Sequence, residues 1–326
     1  MKKIIGLVAL LLLVNACDDG DITIENIDLT DVQPKYCTET GILYKFSGNQ
    51  ALIAEFSVAD SARVFINEVS TVVKTIAINN TTNRFIYRNY SGTVANNSIC
   101  GTILAASPQV TEEWVALNGT AEITTDFVQS TPTSDNATRI TDYRHSIIFK
   151  NVTFQKPDGT QIQYEEFLFG NYDTDVEALP LTFTEDKLTK STCANDYSLY
   201  NVSGKGEMRL KLEQTVLENL IQNSSTPVDN PRTITINNTN TLTYNLYSSS
   251  VANMDFCTAT LPSISETWKA KNGEIGVSGI VEVVTISAGG GIYKHTISLK
   301  KITLEKGLSS FSLGDTFLFG SFLTSN

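Results

Sequence analysis

The chain has 326 residues, 41% hydrophobic and 18% charged, a composition of folded rather than disordered protein. Its formal net charge of −11 falls by two, to −13, if Lys2 and Lys3 leave with a leader; so acidic a chain is a poor candidate for nucleic acid, which rewards Lys/Arg clusters. Ser, Thr, Asn, Val, Ile, Tyr and Phe abound and long amphipathic helical runs are few, which points to an all-β protein with many turns.

The chain opens MKKIIGLVALLLLVNAC. Lys2 and Lys3 precede an apolar run from Ile4 to Val14, shorter than the roughly 20 residues a membrane span needs. Residues 1–16 therefore read as a secretory signal peptide. Val14-Asn15-Ala16-Cys17 has the pattern of a bacterial lipobox, which makes Cys17 the expected acylated N-terminus and residues 17–20 a lipidated tether. Several acyl chains anchor far more firmly than one, at about 0.8 kcal/mol per buried CH₂. The rival is an ordinary cleaved signal with Cys17 a plain cysteine. No later run is long and apolar enough to span a bilayer.

The rest of the chain is written twice. INNTTNRFIYRNYSGTVANNSIC (78–100) aligns with INNTNTLTYNLYSSSVANMDFC (236–257). Tyr87, Tyr90, Val94 and Cys100 meet Tyr244, Tyr247, Val251 and Cys257 at one offset. Upstream, Cys37 meets Cys193; downstream, Trp114 meets Trp268 and Asn118-Gly119 meets Asn272-Gly273. YRHSIIFKNVTF aligns with YKHTISLKKITL, and FLFG at 167–170 recurs at 317–320. The expectation is two tandem β domains, 21–174 and 175–326, each an antiparallel β-sandwich or flattened barrel of about seven to nine strands with room for one short helix. The polar stretch NYDTD (171–175) reads as a brief linker, and a short tether places the first domain close to the membrane.

Individual strands follow from period-two alternation. YKFSGNQALIAEFSV (44–58) and YNVSGKGEMRLKL (200–212) both read as hairpins. KPDGTQIQYEEFLFG carries a Pro-Asp-Gly turn before the last strand of the first domain. QTVLENLIQNSS (214–225) has helical spacing, while its counterpart SARVFINEVS is ambiguous. RTITINNTNTLTYNLYSSSV (232–251) reads as strand, Asn-rich turn, strand, and Gly289-Gly290-Gly291 joins two further strands.

Once Cys17 is set aside, four cysteines remain, and these allow three connectivities. Each repeat holds one pair at matching places, so a unit that once folded alone pairs Cys37 with Cys100 and Cys193 with Cys257. Export permits disulfides. A thiol–metal site is the rival, but there is no C-x-x-C and no zinc spacing.

His145 and His295 are the only histidines, one per repeat. Alternate strand residues share a face, so His145 lies with Tyr143, Ile147 and Phe149, and His295 with Tyr293, Ile297 and Leu299. That apolar setting favours a hydrogen-bonded core imidazole over a metal ligand or base. Trp114 and Trp268 read as core filling rather than sugar platforms, and Tyr87 and Tyr90 as pointing to opposite faces. Glu112 and Glu266 match across the repeats, which suggests structure. No nucleophile elbow, phosphate cradle or metal motif is present. The sequence thus supplies no catalytic residue, no metal ligand and no cofactor site, although a distant carboxylate pair leaves no sequence pattern.

The start CDDGD, the paired cysteines, the strand pairs and the repeated Y-x-H and F-L-F-G segments resemble β-rich surface lipoproteins of Bacteroidota, of flavobacterial type. That resemblance implies an export signal in Asp18, Asp19 and Asp21 and display on the cell surface, with a periplasm-facing lipoprotein as the alternative. Asp60-Ser61-Ala62 similarly resembles the short O-glycosylation motif of that group, with Ser61 the acceptor. The resemblance assigns no other functional residue. The resulting expectation is a non-enzymatic outer-membrane surface lipoprotein, held by N-terminal acyl chains, that binds a protein partner or serves as accessory subunit of an outer-membrane complex. A glycan-binding or adhesive module is the alternative, and a hydrolase the third reading.

Overall fold

The computed structural model describes residues 27, 29–38, 40–101, 103, 105–227 and 229–325. The signal sequence, Cys17, the tether and Asp18, Asp19 and Asp21 lie outside the described residues. The fold is all-β and antiparallel.

In the first repeat β1 (Lys35–Cys37), β2 (Ile42–Ser47), β3 (Gln50–Glu55), β4 (Lys74–Ala77), β5 (Arg84–Tyr90), β6 (Val110–Gln129), β7 (Ile140–Gln155) and β8 (Gln161–Asp175) make one eight-stranded sheet. Helix α1 (Val58–Val64) connects β3 to β4. The sheet order is β1-β2-β3-β5-β6-β7-β8. The early part of β6 pairs with β5, and its later part, residues 120–123, pairs with β4. One long strand therefore serves both layers of a curled half-barrel. The segment NYDTD is not a linker. It completes β8 and pairs with β7, from Asn171↔Ser146 to Asp175↔Asp142, because alternation on the strand continues through polar residues.

The second repeat resolves the same plan into shorter pieces. These are β9 (Thr189–Lys190), β10 (Ser198–Ser203), β11 (Gly206–Lys211), α2 (Gln214–Leu220), β12 (Arg232–Thr235), β13 (Thr241–Tyr247), β14 (Ile264–Ala270), β15 (Ile280–Gly289), β16 (Ile292–Lys300), β17 (Thr303–Lys306), β18 (Ser309–Ser312) and β19 (Phe317–Ser325). They form a seven-stranded sheet, β18-β17-β14-β13-β11-β10-β9, and a four-stranded sheet, β12-β15-β16-β19. This is more strands than the pattern predicts. β12 and β13 flank the Asn-rich turn as expected, but they enter different sheets. The ambiguous segment of the first repeat resolves as α1, matching α2.

Both repeats turn a corner at one left-handed residue. In β7 the buried residues Tyr143, His145, Ile147 and Phe149 are odd-numbered; after Asn151 the buried residues are Val152 and Phe154. Asn151 adopts φ 52°, which inserts a step in the pleat and turns the next residues inward. Lys301 does the same with φ 49°, and there Ile302 and Leu304 follow His295, Ile297 and Leu299. Opposite this corner stands Gly119, at φ 136°, where an added Cβ would meet Val152 Cγ2 at 2.8 Å. A larger residue at 119 would therefore push the two strands apart.

Each repeat has its own core. In the first, Phe85 stacks on Phe149 with centroids 3.8 Å apart, surrounded by Phe154, Phe167 and Phe169. In the second, leucines dominate, among them Leu199, Leu210, Leu242, Leu299 and Leu304. Each such buried side chain contributes roughly 1.5–3 kcal/mol. The helices are placed alike. Asn83 Oδ1 accepts from Ser57 N–H (2.8 Å) ahead of α1, and Asn240 Oδ1 accepts from Glu213 N–H (3.1 Å) ahead of α2. Ser57 also caps α1 by accepting from Asp60 N–H.

The repeats are joined by an arm. From Thr125 to His145 the first repeat spans 20 residues, against 10 from Thr285 to His295, and most of the surplus lies in the loop between β6 and β7. That arm docks on β18. Thr138 N–H donates to Ser312 O (3.0 Å), Ser312 N–H donates to Thr138 Oγ1 (3.0 Å), and Gln129 Nε2 donates to Ser310 O (2.7 Å). Asn136 Nδ2 donates to Asp315 Oδ2 (2.7 Å) and Asp315 N–H to Asp135 O (2.6 Å).

Candidate functional site

The histidines are fully buried, each inside a polar relay repeated in both halves. In the first, Thr125 Oγ1 lies 2.9 Å from His145 Nδ1, and His145 Nε2 lies 3.1 Å from Thr174 Oγ1. Thr174 in turn donates to Asn67 Oδ1 (2.6 Å). In the second, Thr285, His295, Thr324 and Asn223 make the same chain, and Arg232 Nη1 donates to Thr285 Oγ1 (3.0 Å). The direction is fixed by the ends. Thr324 gives its proton to Asn223, so its oxygen accepts from His295 Nε2–H; burial disfavours a second ring proton, which leaves Nδ1 to accept from Thr285. Both imidazoles are therefore neutral. Burial, with Lys74 adding repulsion against the partial opposition of Asp173, lowers the His145 pKa to about 4. Burial and then Arg232 and Lys190 lower that of His295. Among the described residues no carboxylate bonds either ring. The relay ties the segment after each helix to the sheet.

The tryptophans are also buried and repeated. Trp114 Nε1 donates to Glu112 Oε1 (2.7 Å) and Trp268 Nε1 to Glu266 Oε2 (3.0 Å). A lysine covers each indole, Lys156 at 4.6 Å and Lys306 at 5.0 Å. Tyr87 packs on Trp114 in the main core, whereas Tyr90 lies in the smaller cluster around Cys37, so the two tyrosines do face opposite ways.

Between the repeats lies a cleft of about 800 Å³. Arg139 and Tyr143 come from the arm and β7, Leu179 from the connection, and Leu246, Trp268 and Phe311 from the second repeat. Tyr143, Leu246, Trp268 and Phe311 are buried and form its floor; Tyr143 OH lies 2.9 Å from Ser309 Oγ. At the mouth Lys306 pairs with Glu266 (3.1 Å) and Lys205 with Glu177 (3.6 Å). Arg139 stacks over Phe311 and uses Nη1 alone, on Thr138 O (2.6 Å) and Ser312 O (3.0 Å). Burial lowers its pKa, with Asp135 opposing. Sequence patterns could not find this cleft, since its walls come from both repeats.

Both disulfides form as read, Cys37–Cys100 and Cys193–Cys257, each with Cα atoms 5.3 Å apart. Ser61 sits half-buried in the middle of α1, beside an Asp60 engaged by Ser57, Asn83 and Arg63. No group of three or more His, Cys, Asp or Glu side chains suited to a metal occurs among the described residues. Likewise, among the described residues no helix is long and apolar enough to cross a membrane.

The fold and its bonds define a class: an all-β chain of two related, disulfide-stapled units clasped around a cleft, of the kind that folds outside the reducing cytoplasm. No family model, curated protein or solved structure matches the chain.

Proposed function

We propose that the protein is a non-enzymatic lipoprotein of the outer membrane, displayed at the cell surface, that holds a protein partner as an accessory subunit of a membrane complex. The observation that carries this reading is the clasp between Thr138 and Ser312, which fixes one repeat against the other. A partner then meets one preformed surface and pays little ordering entropy on binding. The leader, the lipobox ending at Cys17 and the two disulfides support export and anchoring. The glycan alternative has less support. Sugar stacking wants an open ring, and every aromatic side chain among the described residues is buried or half-buried.

Three measurements on intact cells test the proposal. Acyl labelling should vanish in Cys17→Ser. Added protease should remove the protein from cells without lysis. Crosslinking followed by mass spectrometry should recover an outer-membrane partner; a labelled, protease-sensitive protein with no partner, or one retained on a glycan array, would overturn the accessory role.

A further inference from the structure

We propose that the cleft between the repeats binds a small amphipathic carboxylate, its apolar body against Trp268 and Phe311 and its carboxylate on Arg139. This goes beyond the surface role and does not depend on it, because it concerns the purified chain alone.

Size and lining come first. About 800 Å³ lies within the roughly 300–1,000 Å³ of small-molecule sites. The floor is aromatic and aliphatic and out of water, while Glu177, Lys205 and Ser265 at the mouth are exposed. An apolar body is favoured below and a polar end above.

Charge then selects the polar end. Lys306 and Lys205 are matched by Glu266 and Glu177. Arg139 makes no direct ion pair with a carboxylate among the described residues, although Asp135 acts on it from farther away. Its Nε/Nη2 edge makes no hydrogen bond among them, whereas Arg144 uses that same edge on Asp173 at 2.9 and 2.8 Å. Such an edge takes a carboxylate through two parallel bonds. The site therefore carries one positive charge without a directly bonded counter-ion, on a chain of net charge −11. A monoanion balances it. A dianionic phosphate would add charge facing Glu177 and Glu266, and an amine would face Arg139 directly.

The chain has only two tryptophans, so contact with the floor can be read optically. In Trp114→Phe, Trp268 is the sole indole, and 11-bromoundecanoate at pH 7.5 should quench it saturably through its terminal bromine. The neutral probe 11-bromoundecanol should bind at least about 10-fold more weakly, as should the carboxylate to Arg139→Gln. Ser265→Phe, which adds a ring at the exposed mouth, should abolish the quenching. Should Arg139→Gln fail to fold, the alcohol comparison and Ser265→Phe decide. Absence of saturable quenching, equal binding of acid and alcohol, or full binding by Ser265→Phe would overturn the proposal.

Discussion

Thr285 Oγ1 lies 2.9 Å from His295 Nδ1, and Thr125 Oγ1 lies at the same distance from His145 Nδ1. Two copies of one hydroxyl–imidazole contact, in cores of different composition, show that the histidine is a fixture of the unit. Its chemistry is to stay neutral and to accept at Nδ1.

That neutrality has a pH signature. His145 has a folded pKa of about 4 against 6.5 when unfolded, so the unfolded chain binds the extra proton between those values. Stability is fully present above pH 6.5 and is lost as pH falls toward 4. The loss from this residue is up to about 3 kcal/mol. Urea titrations at pH 7.5 and 4.5 should show it, and His145→Gln should flatten that part of the profile. In the native protein, nitrogen NMR should find His145 neutral at pH 5.5 with the proton on Nε2.

Thr174 is the hinge of the first relay, since it accepts from His145 and donates to Asn67. Thr174→Val strands a ring N–H and an amide oxygen. The His145 ring N–H is buried, whereas Asn67 is exposed and its oxygen can turn to water, so the cost should be about 1–3 kcal/mol, the range for one buried polar group left unmet. Amide hydrogen exchange should rise first in residues 65–70, the segment that Asn67 anchors.

The two disulfides should differ in their resistance to reduction. Cys37 is 3% exposed, whereas Cys193 is half-buried and Cys257 exposed. A mild thiol should therefore open Cys193–Cys257 first, as seen by mass mapping of alkylated peptides. Replacing both of those cysteines by serine should remove up to about 4 kcal/mol by the chain-entropy argument.

Gly314 tests the clasp. It has φ 104°, and an added Cβ would lie 2.7 Å from Asp135 Oδ2 and 3.0 Å from Asp135 O. Gly314→Ala should lift the arm from the second repeat. Limited proteolysis should then cut within residues 130–137, and the melting temperature should fall while both disulfides remain intact.

Much of this fold was legible because strands report themselves through period two and the chain reports itself twice. The pairing of the hairpin strands β2–β3, β10–β11 and β15–β16, both disulfides and the buried face holding His145 follow from those two signals. What period two could not show is the change of phase at Asn151 and Lys301, where a single left-handed residue moves burial to the other parity. Nor could it separate β12 from β13, because an Asn-rich turn looks alike whether its strands pair or part. The relay left a trace in the matching Asn67/Asn223 and Thr174/Thr324, which only the repeat alignment could expose. The cleft left none, since Arg139 and Phe311 are brought together by the arm.

The arm also sets an order of events. Gln129 and Ser310 are 181 positions apart, and Thr138 and Ser312 are 174 apart. The first repeat can close its disulfide and fill its phenylalanine core without them, but its longest hairpin has no dock until β18 exists. A chain released with the second repeat unfolded would thus leave residues 130–137, which lie on the surface but are docked in the native protein, free to move, and cleavage there would report how complete folding is far from where the fault lies.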